Sequence, residues 1–352
     1  MITKGENMSF LEQEIAEQPA VLRRLMAEEA ETVRRIGAAI REFGPTFVSI
    51  AARGTSDNAA RYIQYLLGVH AGLSVGLATP SIHTLYETSP NLSRALVIGI
   101  SQSGQSADVC QVVQDAREQG ALTVGITNDP QSPIAQAAAY HIDLHAGAEQ
   151  SVAATKTYTA ELTAGAMLTA SLTESAEMQA ALTQLPDIMQ QTLISANQVR
   201  NWVERYRYIN QFVCIGRGYN YCTAFEISLK VQELCYVTGL GYSEADFLHG
   251  PIAMLQPGFP VMIIAPDGRT LPTVREFLVK LRDRQVERLV ISNVEALRED
   301  SKQFVSLPSG IPEWLTPIPA VVPGQMFAML LAAAKGNPLD KPHGLTKVTI
   351  TR

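Results

Sequence analysis

Ala95-Leu-Val-Ile-Gly-Ile100, followed at once by Ser101-Gln-Ser-Gly-Gln-Ser106, decides the reading of this chain. The first six residues read as a strand buried on both faces. The next six form a hydroxyl-rich turn that opens a helix running to about Gln119. A continuous apolar strand feeding a helix is the unit of a parallel sheet covered on both sides. The same unit stands upstream. Phe47-Val-Ser-Ile-Ala-Ala52 leads into Arg53-Gly-Thr-Ser-Asp57 and a helix through about Leu67. Downstream, Thr123-Val-Gly-Ile126 and Tyr140-His-Ile-Asp-Leu144 read as third and fourth strands, and a helix follows near 157–172. Strands alternating with helices imply right-handed crossovers and an α/β fold.

The second half repeats this layout. Phe212-Val-Cys-Ile215 stands 165 positions after Phe47-Val-Ser-Ile50, and Met262-Ile-Ile-Ala265 stands 165 after Val97-Ile-Gly-Ile100. Leu289-Val-Ile-Ser292 follows Val124-Gly-Ile-Thr127 by 165, and Phe304-Val-Ser-Leu307 follows His141-Ile-Asp-Leu144 by 163. Arg217-Gly218 echoes Arg53-Gly54 at 164, and Met329-Leu330 echoes Met167-Leu168 at 162. Matches at a nearly constant offset indicate an internal duplication. Apolar residues from Leu11 to Ile40, three and four apart, make the first 42 residues a helical lead stopped by Gly44-Pro45. The expected domains are 43–178 and 179–335, with a helical linker around 173–198 and a loop-like tail over 336–352.

Composition narrows the function. The 352 residues are 46% hydrophobic and 18% charged, which suits a packed core and excludes a disordered chain. The net charge of −6 argues against general nucleic-acid binding. Cys110, Cys214, Cys222 and Cys235 form no C-x-x-C pair, so no zinc or redox motif is expected. No apolar run approaches about 18 residues, so no membrane span is expected. The start carries no signal core, and a reduced, cytoplasmic location follows as the expectation.

The chemistry is expected at the carboxyl ends of the strands. Ser101, Ser103 and Ser106 at a helix N-terminus suit one phosphate; an ordinary turn with Ser as N-cap is the plain alternative. Gly54-Thr-Ser56 repeats the theme. The G-x-G-x-x-G and P-loop fingerprints are missing, which disfavours a nucleotide. Glu226, Lys230 and Glu233 lie on one face of a helix that is apolar on most other sides. Enclosure would alter their proton affinities, whereas a solvated face would not. His249-Gly-Pro251 reads as a loop before a short helix with Pro at its start. His141 and His145 are four apart with no third ligand, so no metal is expected.

These motifs, in this order and with Val152-Ala-Ala-Thr-Lys156 and Leu345-Thr-Lys347, resemble the isomerase half of glucosamine-6-phosphate synthase, built from two sugar-isomerase (SIS) domains. The resemblance covers nearly the whole chain. It implies two tandem flavodoxin-like, three-layer α/β domains without a cofactor. It further implies that Ser101, Gln102, Ser103 and Ser106 hold the sugar phosphate, and that Thr55, Ser56 and Val152 lie near the sugar hydroxyls. Glu233 is then the carboxylate that moves a proton between C1 and C2, with Lys230 beside it. Lys347 forms an imine with the open-chain ketose. His249 opens the ring in the neighbouring subunit's site, which implies a homodimer. The family's glutaminase domain is missing from this sequence. The expected reaction is therefore conversion of glucosamine 6-phosphate to fructose 6-phosphate and ammonia, as in SIS-type deaminases. A fructosamine-6-phosphate deglycase and a sugar-phosphate-binding regulator remain the alternatives. Gln105, Ser106 and Ala154 depart from the synthase pattern, and Arg53 is atypical.

Overall fold

A computed structural model describes residues 8–347. Five strands form a first sheet: β1 (Phe47–Ala51), β2 (Val75–Leu77), β3 (Ala95–Ser101), β4 (Leu122–Thr127) and β5 (Tyr140–Asp143). Their order is β2-β1-β3-β4-β5, and every pairing is parallel. The second sheet contains β6 (Gln211–Ile215), β7 (Thr238–Tyr242), β8 (Pro260–Ile264), β9 (Glu287–Ser292) and β10 (Gln303–Ser306). Its order, β10-β9-β8-β6-β7, is the same topology met a second time, again all parallel. Helices cover the faces, as parallel crossovers require. This is the expected pair of tandem, flavodoxin-like α/β units.

Strand order reverses between β1 and β3, and again between β6 and β8. At such a point the following loops diverge and leave a crevice at the carboxyl edge. The two hydroxyl-rich turns leave from β1 and β3, so the topology alone brings them together.

Some expectations need correction. The helical lead is two helices, Phe10–Glu28 and Ala30–Phe43, and its first seven positions lie outside the described residues. The break falls at Glu29, whose carboxylate is engaged by His145 Nε2 at 2.8 Å. Strands β2 and β7 were not expected; both are short, and Gly interrupts them. The expected helical linker needs no such correction and consists of helices Ala176–Thr183 and Leu185–Ala196. One stretch, Glu313–Lys335, is long and apolar enough to cross a bilayer by composition, against the expectation that none is; 89% of its most apolar window is buried inside the protein. It is a core helix, apolar all round because protein surrounds it. Helix Lys156–Leu172 is its equivalent in the first half and is buried almost throughout.

Both central helices use one packing device. A Cβ at Gly165 would overlap Ile63 Cγ1 of helix Gly54–His70, and a Cβ at Gly324 would overlap Ile227 Cγ1 of helix Tyr221–Cys235. Glycine lets each core helix approach the helix that leaves the first strand of its own sheet. Gly324→Ala should cost about 1–3 kcal/mol by overpacking. Adding Ile227→Ala should return part of that loss, with a coupling above roughly 0.5 kcal/mol in denaturant titrations. Strictly additive losses would refute the contact.

Candidate functional site

At the switch point of the first sheet lies a cavity of about 340 Å³. Thr55, Ser56, Ser101, Gln102, Ser103, Ser106 and Val152 line it, and so do Glu233 and Lys347. These nine come from the turn after β1, the turn after β3, the loop before helix Lys156–Leu172, the end of helix Tyr221–Cys235 and the tail. The predicted residues are thus gathered from both halves. Lys230 lies directly behind the wall, and its ammonium touches Thr55 and Glu233. His249 is the exception. It is exposed at the end of the short helix Glu244–Leu248 and does not line this cavity.

The hydroxyl turn is held by its own backbone. Gly104 N–H donates to Ser101 O at 3.2 Å and to Ser101 Oγ at 3.2 Å, and Asn128 N–H donates to Gln102 O at 3.0 Å. Gly104 has φ 64°, and a Cβ there would overlap the Ser132 side chain. Only glycine meets both demands. Ser106 stands at the N-cap of helix Ala107–Glu118 yet makes no side-chain capping bond. Its hydroxyl lies 3.4 Å from that of Ser101. Capping therefore does not use this hydroxyl, and the helix N-terminus and the turn face the cavity as an anion cradle. Arg53 adds a cation at this end. Its Nε donates to buried Asp108 at 2.7 Å, which fixes the guanidinium at the rim.

Acids crowd the other end. Glu226 Oε1 accepts from Thr55 Oγ1 at 3.2 Å, and Glu226 Oε2 accepts from Asn58 Nδ2 at 2.8 Å. Lys230 Nζ lies 3.3 Å from Glu226 and 2.5 Å from Glu233. Burial pushes Glu226 up to about 7, although Lys230 and Asn58 pull it down. Burial alone would weaken the Lys230 ammonium, but Glu226 and Glu233 outweigh it and hold its proton more tightly than usual. The stripe read from the sequence is enclosed, as its apolar flanks implied, with Glu233 the most accessible member.

Two further acids escaped the sequence reading. Lys347 Nζ donates to Glu149 Oε2 at 2.7 Å and to Ser151 O at 2.7 Å. Glu149 also accepts from Thr155 N–H and from the Thr157 N–H and hydroxyl. Its burial would raise its proton affinity, but Lys347 and these donors hold it below the ordinary carboxylate range. Glu161 lines the cavity, is 1% exposed, and accepts from Ser56 Oγ at 2.7 Å. Glu149 sits in a loop without periodicity, so nothing in the sequence marked it. Glu161 left one signal, as the lone acid within helix Lys156–Leu172. His141 bonds Thr127 and His145 bonds Glu29; among the described residues no group of three His, Cys, Asp or Glu is placed to hold a metal.

The second sheet has its own switch point, and the protein fills it. The Glu313 carboxylate accepts from Arg269 N–H at 2.8 Å, Thr270 N–H at 3.1 Å and Thr270 Oγ1 at 2.7 Å. These donors precede helix Leu271–Asp283, where an anion would sit.

Comparison with known proteins agrees with this architecture. Glutamine–fructose-6-phosphate aminotransferase (isomerizing) of Aquifex aeolicus (strain VF5) is 34% identical over 353 aligned positions, covering 99% of this chain and 58% of the relative. The chain thus spans somewhat over half the length of the curated relatives it matches. A protein of Silicibacter pomeroyi DSS-3, provisionally described as a phosphosugar isomerase, superposes with TM-score 0.85 at 30% identity, over 95% of this chain and 99% of that one. Glucosamine-6-phosphate deaminase of Thermotoga maritima shares the fold at TM-score 0.79 and 18% identity, over 97% of this chain and 100% of that one. The SIS domain model matches residues 48–171 and 206–332, one segment around each sheet. The chain therefore belongs to the SIS domain family, with two such segments in tandem.

Proposed function

We propose that this cavity interconverts glucosamine 6-phosphate with fructose 6-phosphate and ammonia, acting in the deaminating direction. The observation that carries the reading is one cavity with a hydroxyl-rich anion cradle at one end and Glu233 and Lys347 at the other, with Lys230 held behind Glu233. The similarity to an isomerizing aminotransferase named for fructose 6-phosphate supports the substrate class.

The roles follow from the chemistry. The Ser101–Ser106 turn and Arg53 hold the phosphate and so set how far the reactive carbons reach. Glu233 removes the C2 proton of the open-chain aldose and returns it to C1, which leaves an imine at C2. Lys230 holds Glu233 in place at 2.5 Å. Lys347 attacks the C2 imine and expels ammonia, and water then releases the ketose and restores the amine. Lys347 reacts as the free amine, and Glu149, at 2.7 Å, holds its nitrogen in position. Water is consumed and one ammonia leaves, so atoms balance. Ring opening needs an acid–base group, and the His249 imidazole supplies it in a homodimer from the neighbouring subunit.

Purified protein given glucosamine 6-phosphate should release ammonia and fructose 6-phosphate in equal amounts. Glu233→Gln should lower kcat by about 10²–10⁴-fold. Turnover confined to a fructosamine 6-phosphate adduct would replace this reaction with deglycation. Saturable binding without turnover of either would mark a regulator.

A shared site makes a second prediction. Glu233→Gln and His249→Ala homodimers should each be nearly inactive, and mixed subunits should recover part of the activity. No recovery under conditions of proven subunit exchange would remove His249 from the site.

A further inference from the structure

One buried polar atom in the cavity has no protein partner. Glu161 Oε2 is shielded from solvent and makes no hydrogen bond, while Oε1 accepts from Ser56 Oγ at 2.7 Å. A buried carboxyl oxygen without a partner is costly unless a ligand completes it. Ser56 adjoins Thr55, which touches both Glu226 and Lys230, so Glu161 belongs to the acid-rich end of the cavity.

We infer that Glu161 reads the nitrogen of the substrate, its free oxygen accepting a hydrogen bond from the ammonium of an amino sugar phosphate. This rests on the phosphosugar reading above and deepens it by naming the feature that separates amino sugars from their hydroxyl counterparts.

The charges around the group favour a cation. Helix Tyr221–Cys235 presents Glu226, Lys230 and Glu233; the loop before helix Lys156–Leu172 presents Glu149 and that helix the Tyr158 phenol; the tail presents Lys347; helix Gly54–His70 presents the uncharged Thr55, Ser56 and Asn58 side chains. Lys230 is spent between Glu226 and Glu233, and Lys347 is spent on Glu149. Four carboxyls thus face two ammonium groups that are both engaged, and among the described residues Glu161 alone of the four has no cation paired with it. A neutral hydroxyl would meet a protonated Glu161 as one more weak partner. An ammonium would instead draw the carboxyl into its ionised form and make a charge-assisted bond. Burial pushes Glu161 up to about 8, opposed by Ser56 and reinforced by Glu149 and Glu226, so the empty cavity holds it protonated at pH 6.5.

The test uses two alditols that cannot turn over, 2-amino-2-deoxyglucitol 6-phosphate and glucitol 6-phosphate. Calorimetry at pH 6.5 in two buffers of different ionisation heat counts protons. The amine is already protonated there, so the amino alditol should release about one proton more than the glucitol compound as Glu161 ionises. Glu161→Gln, which keeps an acceptor for Ser56, should abolish that difference. It should also weaken the amino alditol on the order of tenfold or more, while glucitol 6-phosphate stays within about twofold. The proton count on the unaltered protein needs no variant, so a poorly folded mutant does not spoil the test. Equal affinities and equal proton counts for the two alditols would overturn the inference while leaving the phosphosugar reading intact. Failure of both to bind would overturn that reading and the inference with it.

Discussion

A single ammonium, that of Lys230, ties the two halves of this protein together at the point where the chemistry is placed. It is buried with Glu226 and Glu233 on its own helix, and it reaches across to Thr55 of the first half. Glu226 makes the reverse crossing to Thr55 and Asn58. Burying a charge is expensive, and a group of this kind holds only when every member is matched. Removing one member of such a set costs about 3–5 kcal/mol, because the others are left uncompensated. The network therefore acts as a registration pin. The hydroxyls ride on helix Gly54–His70 and the acids on helix Tyr221–Cys235. Neither helix carries a complete site, and their docking is what produces one.

The strands were legible because burial on both faces writes itself as a run of apolar residues. Val97-Ile-Gly-Ile100 and Met262-Ile-Ile-Ala265 could be little else. The edge strands β2 and β7 were not legible, since Val75-Gly-Leu77 spans only three residues and glycine at 239 and 241 removes the pattern from Thr238-Gly-Leu-Gly-Tyr242; the opposite edges, β5 and β10, kept theirs. The site shows the same division. Ser101 to Ser106, and Glu226 with Lys230 and Glu233, are local groupings that a reader of sequence can find. Glu149 and Glu161 meet Lys347 and Ser56 only through the fold, across 198 and 105 positions of chain. No spacing rule reaches that far. His249 is visible as a motif, but the fold of the chain does not bring it to the cavity.

Duplication explains how so many constraints are met at once. The same glycine-to-isoleucine approach seats the core helix in each half, and the same strand order follows. What differs is charge. The first half keeps hydroxyls, Glu149 and Glu161 at its switch point, and the second supplies Glu226, Lys230 and Glu233. The helix after β6 occupies the position that in the first half carries Thr55 and Ser56. In the second half its residues turn toward the other domain's cavity rather than its own.

Glu313 gives this division a thermodynamic side. By seating a carboxylate on the donors at 269–270, the second half carries its own anion permanently, as part of the chain. Its anion-donor loop is satisfied whether or not a phosphosugar is present. Among the described residues the first half has no such internal anion; on the proposed function it gains an equivalent only by binding, with a stability increment that grows with ligand concentration. On that proposal one copy of a duplicated fold has a stability set by sequence, while the other has a stability set partly by ligand supply. The two halves, alike in backbone, would then part company in what a bound sugar phosphate does to them.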